Sequence, residues 1–150
     1  MGPIELIVSA VVILLVGSGV TFFTALYKKN QPELLGIIST IFVGISGVFI
    51  IISSLMVFIG GVSSREALYM VPAIGASFLV YVDNLSAIFL FLIGLISILS
   101  TFYSVKFMSI PYYKNMNMIG FYPILLLFYV SIIIVVTVND MFFFFLGWEF

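Results

Sequence analysis

Four stretches of this chain, residues 4–26, 34–59, 85–103 and 123–138, hold a single charged side chain between them, Glu5. Crossing a hydrocarbon core of about 30 Å takes about 20 residues at a helical rise of about 1.5 Å per residue, and the runs are of that order. Inside lipid no water reaches the backbone, so each run must close its own hydrogen bonds as a helix. The expected fold is an all-α polytopic membrane protein with four transmembrane helices. A further apolar run from about residue 141 adds the start of a fifth. Composition agrees, with 64% of the 150 residues hydrophobic and 7% charged, far from the balance of a soluble domain.

The polar breaks define the organisation. MGPIELIVSA starts acidic and runs straight into a long apolar core, unlike a signal peptide, so cleavage is not expected. YKKNQPE, residues 27–33, separates the first two spans, with Pro32 suited to a first helical turn, where its missing N–H is harmless. GGVSSREALYM, residues 60–70, is the least apolar part, and the alternation of ASFLVYVDN after it fits either a strand or an interfacial helix. This region is read as an ordered loop. Asp83 precedes the third span where a helix N-cap belongs, and Asp140 stands likewise before the fifth. Lys106, Pro111 and Lys114 mark the third loop.

Lysine and arginine set the orientation. Lys28 and Lys29 fall in the first loop, Lys106 and Lys114 in the third, and only Arg65 in the second. The first and third loops are therefore expected in the cytoplasm and the N-terminus outside. The net charge of −1, spread over widely separated groups, offers no footprint for nucleic acid. The chain has no cysteine and no histidine, so thiolate and imidazole metal centres and histidine-ligated haem are not expected, and no cofactor is assigned to it.

Small residues recur within the spans: Gly36, Thr40 and Gly44 in the second, Gly94, Ser97, Thr101 and Ser104 on one face of the third. Close helix packing is the simpler reading, since serine and threonine can bond to their own backbone. A polar stripe lining a water path is the sharper alternative. Tyr27, Tyr103 and Trp148 suit interfacial anchors.

The segment MFFFFLGWEF, residues 141–150, buries the most unusual group, Glu149. A helix starting near Met141 carries Glu149 about 12 Å in, close to the middle of the hydrocarbon core. A charged side chain at a helix centre costs about 2.5 to 3.5 kcal/mol on insertion scales, which favours the protonated form unless a cation or trapped water pairs with it. A group whose proton affinity follows its neighbour is what a proton relay uses. The alternatives are a neutral acid bonded to a neighbouring helix, or a polar tail bending back to water. No lysine lies within a span, so a midplane partner has to come from elsewhere.

YVDNLSAIFLFLIGLISILSTFYSVKFM followed by FYPILLLFYVSIIIVVTVNDMFFFFLGWEF resembles the antiporter-like subunits of complex I, of membrane-bound nickel–iron hydrogenases and of Mrp-type cation/proton antiporters. The resemblance rests on Asp83, Leu85 and Ser86 opening the third span, Tyr103 and Tyr112 after it, Asn139-Asp140, and Gly147-Trp148-Glu149. It covers residues 81–150 well and the first two spans in hydropathy only. It implies that Glu149 is the family's essential glutamate, with Asp83, Asp140 and Trp148 as secondary positions. It further implies that residues 1–150 form the N-terminal part of a larger antiporter-like membrane domain. The family's partner lysines stand on later helices, so the implied partners are other integral membrane subunits, including one supplying lysine-bearing helices, within the lipid bilayer. The implied function is proton or sodium ion translocation coupled to redox chemistry, in a non-redox subunit of a translocase complex in the cytoplasmic membrane of a prokaryote. A non-conducting structural subunit, an Mrp-type antiporter component and an unrelated small transporter are the other readings.

Overall fold

The computed structural model describes residues 2–27, 31–61, 63–71, 76–110 and 119–149. Lys28, Lys29, Pro111, Tyr112 and Lys114, which entered the orientation and resemblance arguments, lie outside these.

Among the described residues five helices follow the apolar runs: α1 Pro3–Tyr27, α2 Pro32–Gly60, α3 Asn84–Met108, α4 Phe121–Thr137 and α5 Met141–Glu149. Pro32 occupies the first turn of α2, as its chemistry requires, and Gly61 ends that helix in the left-handed region at φ 60°, its N–H bonded to the Val57 carbonyl. Three of the helices, α1, α2 and α3, are long and apolar enough to cross a membrane, with 25, 29 and 25 residues. By length and composition this is a membrane protein.

Two expectations need correction. The expected four full spans plus the start of a fifth become three of span length, one helix of 17 residues and one of nine among the described residues. At about 1.5 Å per residue α4 covers about 25 Å, just short of the usual core. The fold is also not purely α. Between α2 and α3 stands an antiparallel hairpin, β1 Ser64–Val71 and β2 Ala76–Val82, paired from Ser64 opposite Val82 to Val71 opposite Ala76. The register shifts between Ala67 and Tyr69, a bulge that absorbs one residue.

A lone hairpin is marginal, and this one is held from below. Val80 and Val82 are buried, Val80 bridges to Val138, and the Asn139 N–H donates to the Leu79 carbonyl at 2.8 Å. The Phe78 and Phe143 rings meet edge to face at 4.9 Å. The hairpin thus sits at the end of the bundle where α2 and α4 finish and α3 begins. The start of α1 is there too, since Ser53 near the end of α2 donates to the Pro3 carbonyl at 2.8 Å.

The buried seam of each long helix advances by alternating steps of three and four. In α2 it runs Gly36, Ser39, Val43, Ser46, Ile50, Ser53, Val57, and in α3 Ala87, Leu90, Gly94, Ser97, Thr101, Ser104. A seven-residue repeat is the signature of left-handed bundle packing. Its content is inverted relative to a soluble protein: small and hydroxyl side chains face inward, while Ile37, Ile41, Ile45, Val48 and Ile52 of α2 face out. That outer surface suits lipid, and the small inner residues let the helices approach. Backbone meets backbone at Gly47 and Gly94, where a Cβ on either would lie 3.1 Å from the other's carbonyl oxygen. Gly36 contributes differently, leaving room for the Tyr122 hydroxyl, whereas a Cβ on Gly44 would meet nothing within 4 Å.

Candidate functional site

The polar side chains of the spans are accounted for first. Ser39, Thr40, Thr21, Ser97, Ser104 and Thr137 donate to carbonyls of their own helices. Ser46 and Ser18 reach across, to the Ala10 carbonyl at 3.1 Å and the Pro123 carbonyl at 3.0 Å. Between α3 and α4 the Tyr129 hydroxyl shares hydrogen bonds with Ser100 at 2.7 Å and Thr101 at 3.1 Å, and the Tyr122 hydroxyl donates to the Ser104 carbonyl at 3.4 Å. No buried side-chain nitrogen or oxygen among the described residues lacks a partner. The stripe on α3 is therefore a buried packing surface, seated on α2 at Gly94 and fastened to α4 at Thr101 and Ser104. Sequence reasoning missed Tyr129; its signal was a lone phenol in the middle of an apolar run, which has to find a bond.

Both aspartates are caps. The Asp83 carboxylate accepts from the Ser86 N–H at 2.7 Å, and this bond holds its pKa below the ordinary aspartate value. Asp140 does more than capping requires. One oxygen accepts from the Phe142 and Phe143 N–H groups at 2.9 and 3.3 Å, and the other accepts from the Ser77 N–H on β2 at 3.1 Å. The Ser77 bond is the largest cause of its lowered pKa. Asp140 therefore ties the start of α5 to the hairpin, a link that no sequence signal foretold.

Glu149 lies at the other end of α5. That helix buries one residue, Gly147, whose missing Cβ lets it rest against Ile134 and Val135 of α4. Glu149 follows two residues later and so points away from α4, sharing a face with Phe145 and Phe142, which are 53% and 48% exposed. Its own side chain is exposed, and no hydrogen-bond or charge partner among the described residues reaches it. Trp148 is 71% exposed. The nearest cleft, about 300 Å³ between α1, β2, α4 and α5, is lined by Val11, Leu15, Phe78, Ile134, Phe143 and Gly147 among others, and Glu149 is not part of its wall.

The four residues singled out from sequence thus separate. Asp83 and Asp140 sit at the hairpin end, Asp140 heads the helix that carries Trp148 and Glu149, and Glu149 stands on an apolar face that no other described residue covers. The cations among the described residues are Arg65 in β1 and Lys106 in the last turn of α3, both away from span interiors. No group of described residues has the composition to hold a metal ion. No protein-family model matches the chain, and no curated protein matches it.

Proposed function

We propose that this chain is an ion-translocating subunit of a larger membrane complex, with Glu149 as the group that takes up and releases a proton. The observation that carries the reading is a carboxylate about 12 Å along α5, on a face that no described residue covers. An ionised acid at that depth needs a cation, because the C-terminal end of a helix offers it no free N–H donor. The partner is a lysine on a helix of another subunit or segment, docking on the Phe142, Phe145 and Glu149 face. When that lysine is close Glu149 ionises, and when it withdraws Glu149 takes a proton. The Asp83, Asn139-Asp140 and Gly147-Trp148-Glu149 elements support an antiporter-like subunit of a complex I-like, hydrogenase-like or Mrp-type assembly. The lysine distribution supports an outside N-terminus in a prokaryotic cytoplasmic membrane, with α4 as a short crossing and α5 as part of another.

A second reading, a structural subunit that conducts nothing, is favoured by the fully bonded interior and the apolar cleft beside α5. Glu149→Gln separates the two. In the complex isolated from native membranes, the first reading expects coupled ion pumping to be lost with assembly intact, and the second expects pumping to be unchanged.

A further inference from the structure

The crossing of α2 and α3 leaves two grooves on one flank. Helices that touch closely at Gly47 and Gly94 diverge on either side of that point. Ile41 and Leu55 line opposite grooves and are two heptads apart on α2, as are Lys106 and Leu92 on α3, so both openings lie along the same side of the seam. Their chemistry differs. The groove near the hairpin, about 240 Å³, is bordered by Leu55, Phe58, Ile88 and Phe91 and carries no charged residue. The other is larger, about 640 Å³, and its walls include Ile37, Ile41, Phe102, Tyr103 and Lys106. Among the described residues Lys106 is the one charge in its wall, and the nearest carboxylate along α2, Glu33, stands a turn before Ile37 and is not part of that wall.

Depth explains what a cation does there. Lys106 is twelve residues beyond Gly94, about 18 Å along the helix axis, while half a hydrocarbon core is about 15 Å. With the glycine crossing near the midplane, the ammonium reaches the headgroup layer and the groove below it lies among acyl chains. The Tyr103 and Phe107 rings, stacked at 5.6 Å, stand beside Lys106 as an interfacial pair. We propose that this groove holds one anionic phospholipid, its phosphate on the Lys106 ammonium and an acyl chain along Ile41 and Phe102. A basic residue at the headgroup end of a cleft between spans is the chemistry that selects such lipids, and the uncharged sister groove provides the internal contrast. The inference stands independently of ion translocation.

Native mass spectrometry of the purified full chain, titrated with phosphatidylglycerol and with phosphatidylcholine of the same acyl chains, tests it. Preferential binding of a single phosphatidylglycerol is expected, with the preference falling about fivefold in Lys106→Gln. Ile41→Trp, which fills the groove, should weaken both lipids, and Arg65→Gln at the other end should change neither. Equal binding of the two lipids to the natural chain, or an unchanged preference in Lys106→Gln, would overturn the proposal. So would displacement by free glycerol phosphate, which marks a headgroup site without the groove. Exclusion of phosphatidylglycerol from this groove in the complex isolated from membranes would assign it to a partner helix and also overturn the proposal.

Discussion

The bundle of α1 to α3 and the short helix α5 treat polar groups in opposite ways. In the bundle, Ser18, Thr21, Ser39, Ser46, Ser53 and Ser97 each donate to a carbonyl, and Thr101 bonds Tyr129. In α5, Glu149 has no such partner among the described residues. The difference lies in what a helix can supply. Its interior always presents a carbonyl to a hydroxyl, but its N–H groups are already used, so an ionised carboxylate, which only accepts, finds donors only at a helix start. Asp83 and Asp140 stand at such starts and are satisfied. Glu149 stands at the C-terminal end of α5, where every backbone N–H is already used, and is not satisfied among the described residues. On the proposed reading it takes either a proton or a cation from another helix.

The sharpest way to break that contrast is to exchange the acids for amides. Glu149→Gln should abolish coupled translocation in the assembled complex. Asp140→Asn should retain most of it, since asparagine caps as well as aspartate. Pumping lost in Asp140→Asn with normal assembly would move Asp140 from the satisfied class to the transport class. Within the bundle, Gly94→Ala places a methyl 2.8 Å from Ile51 Cγ1 and should destabilise by about 1 to 3 kcal/mol, whereas Gly44→Ala should be tolerated. Thermal unfolding in detergent would register the difference, and equal tolerance would mean that the helices do not meet there. Asp83→Ala should loosen the start of α3 by about 1 kcal/mol, seen as faster amide exchange at Ser86, with Asp83→Asn close to the natural chain. Tyr129→Phe should be the mildest, about 0.6 kcal/mol, a typical value for a hydrogen bond between membrane helices.

Acid should separate the two classes again. The pKa values of Asp83 and Asp140 are lowered by backbone N–H bonds. Their contribution is therefore fully present above the unfolded value of about 3.9 and fades as pH falls through the lower folded values. Amide exchange at Ser77, Ser86 and Phe142 should rise together in that window. Unchanged protection under those conditions would show that the carboxylates do not hold the caps.

Much of the bundle was legible because span length and apolarity are dictated by the bilayer, and Pro32 and Asp83 act locally. The hairpin was not, since ASFLVYV becomes a strand only by pairing with SREALYMV and docking on Val138 and Asn139, contacts far apart in sequence. The third span was expected to end at Tyr103 because Lys106 read as loop, but a lysine in a last turn can extend its stem to the interface while the helix continues to Met108. Uniform steps of four picked out Gly44, whereas the seam alternates threes and fours and brings Gly47 to the crossing. Glu149 itself was visible as an acid among phenylalanines. Which way it faces was not, because that follows from the seating of Gly147 on Ile134 and Val135.

The most direct measurement is the protonation state of this one side chain, read from the carboxyl stretch in the infrared difference between the natural chain and Glu149→Gln. In lipid, the chain alone should show the band of a neutral carboxylic acid, and the complex isolated from native membranes should show it replaced by carboxylate. An ionised group in both preparations would contradict the account, as would a neutral one in both.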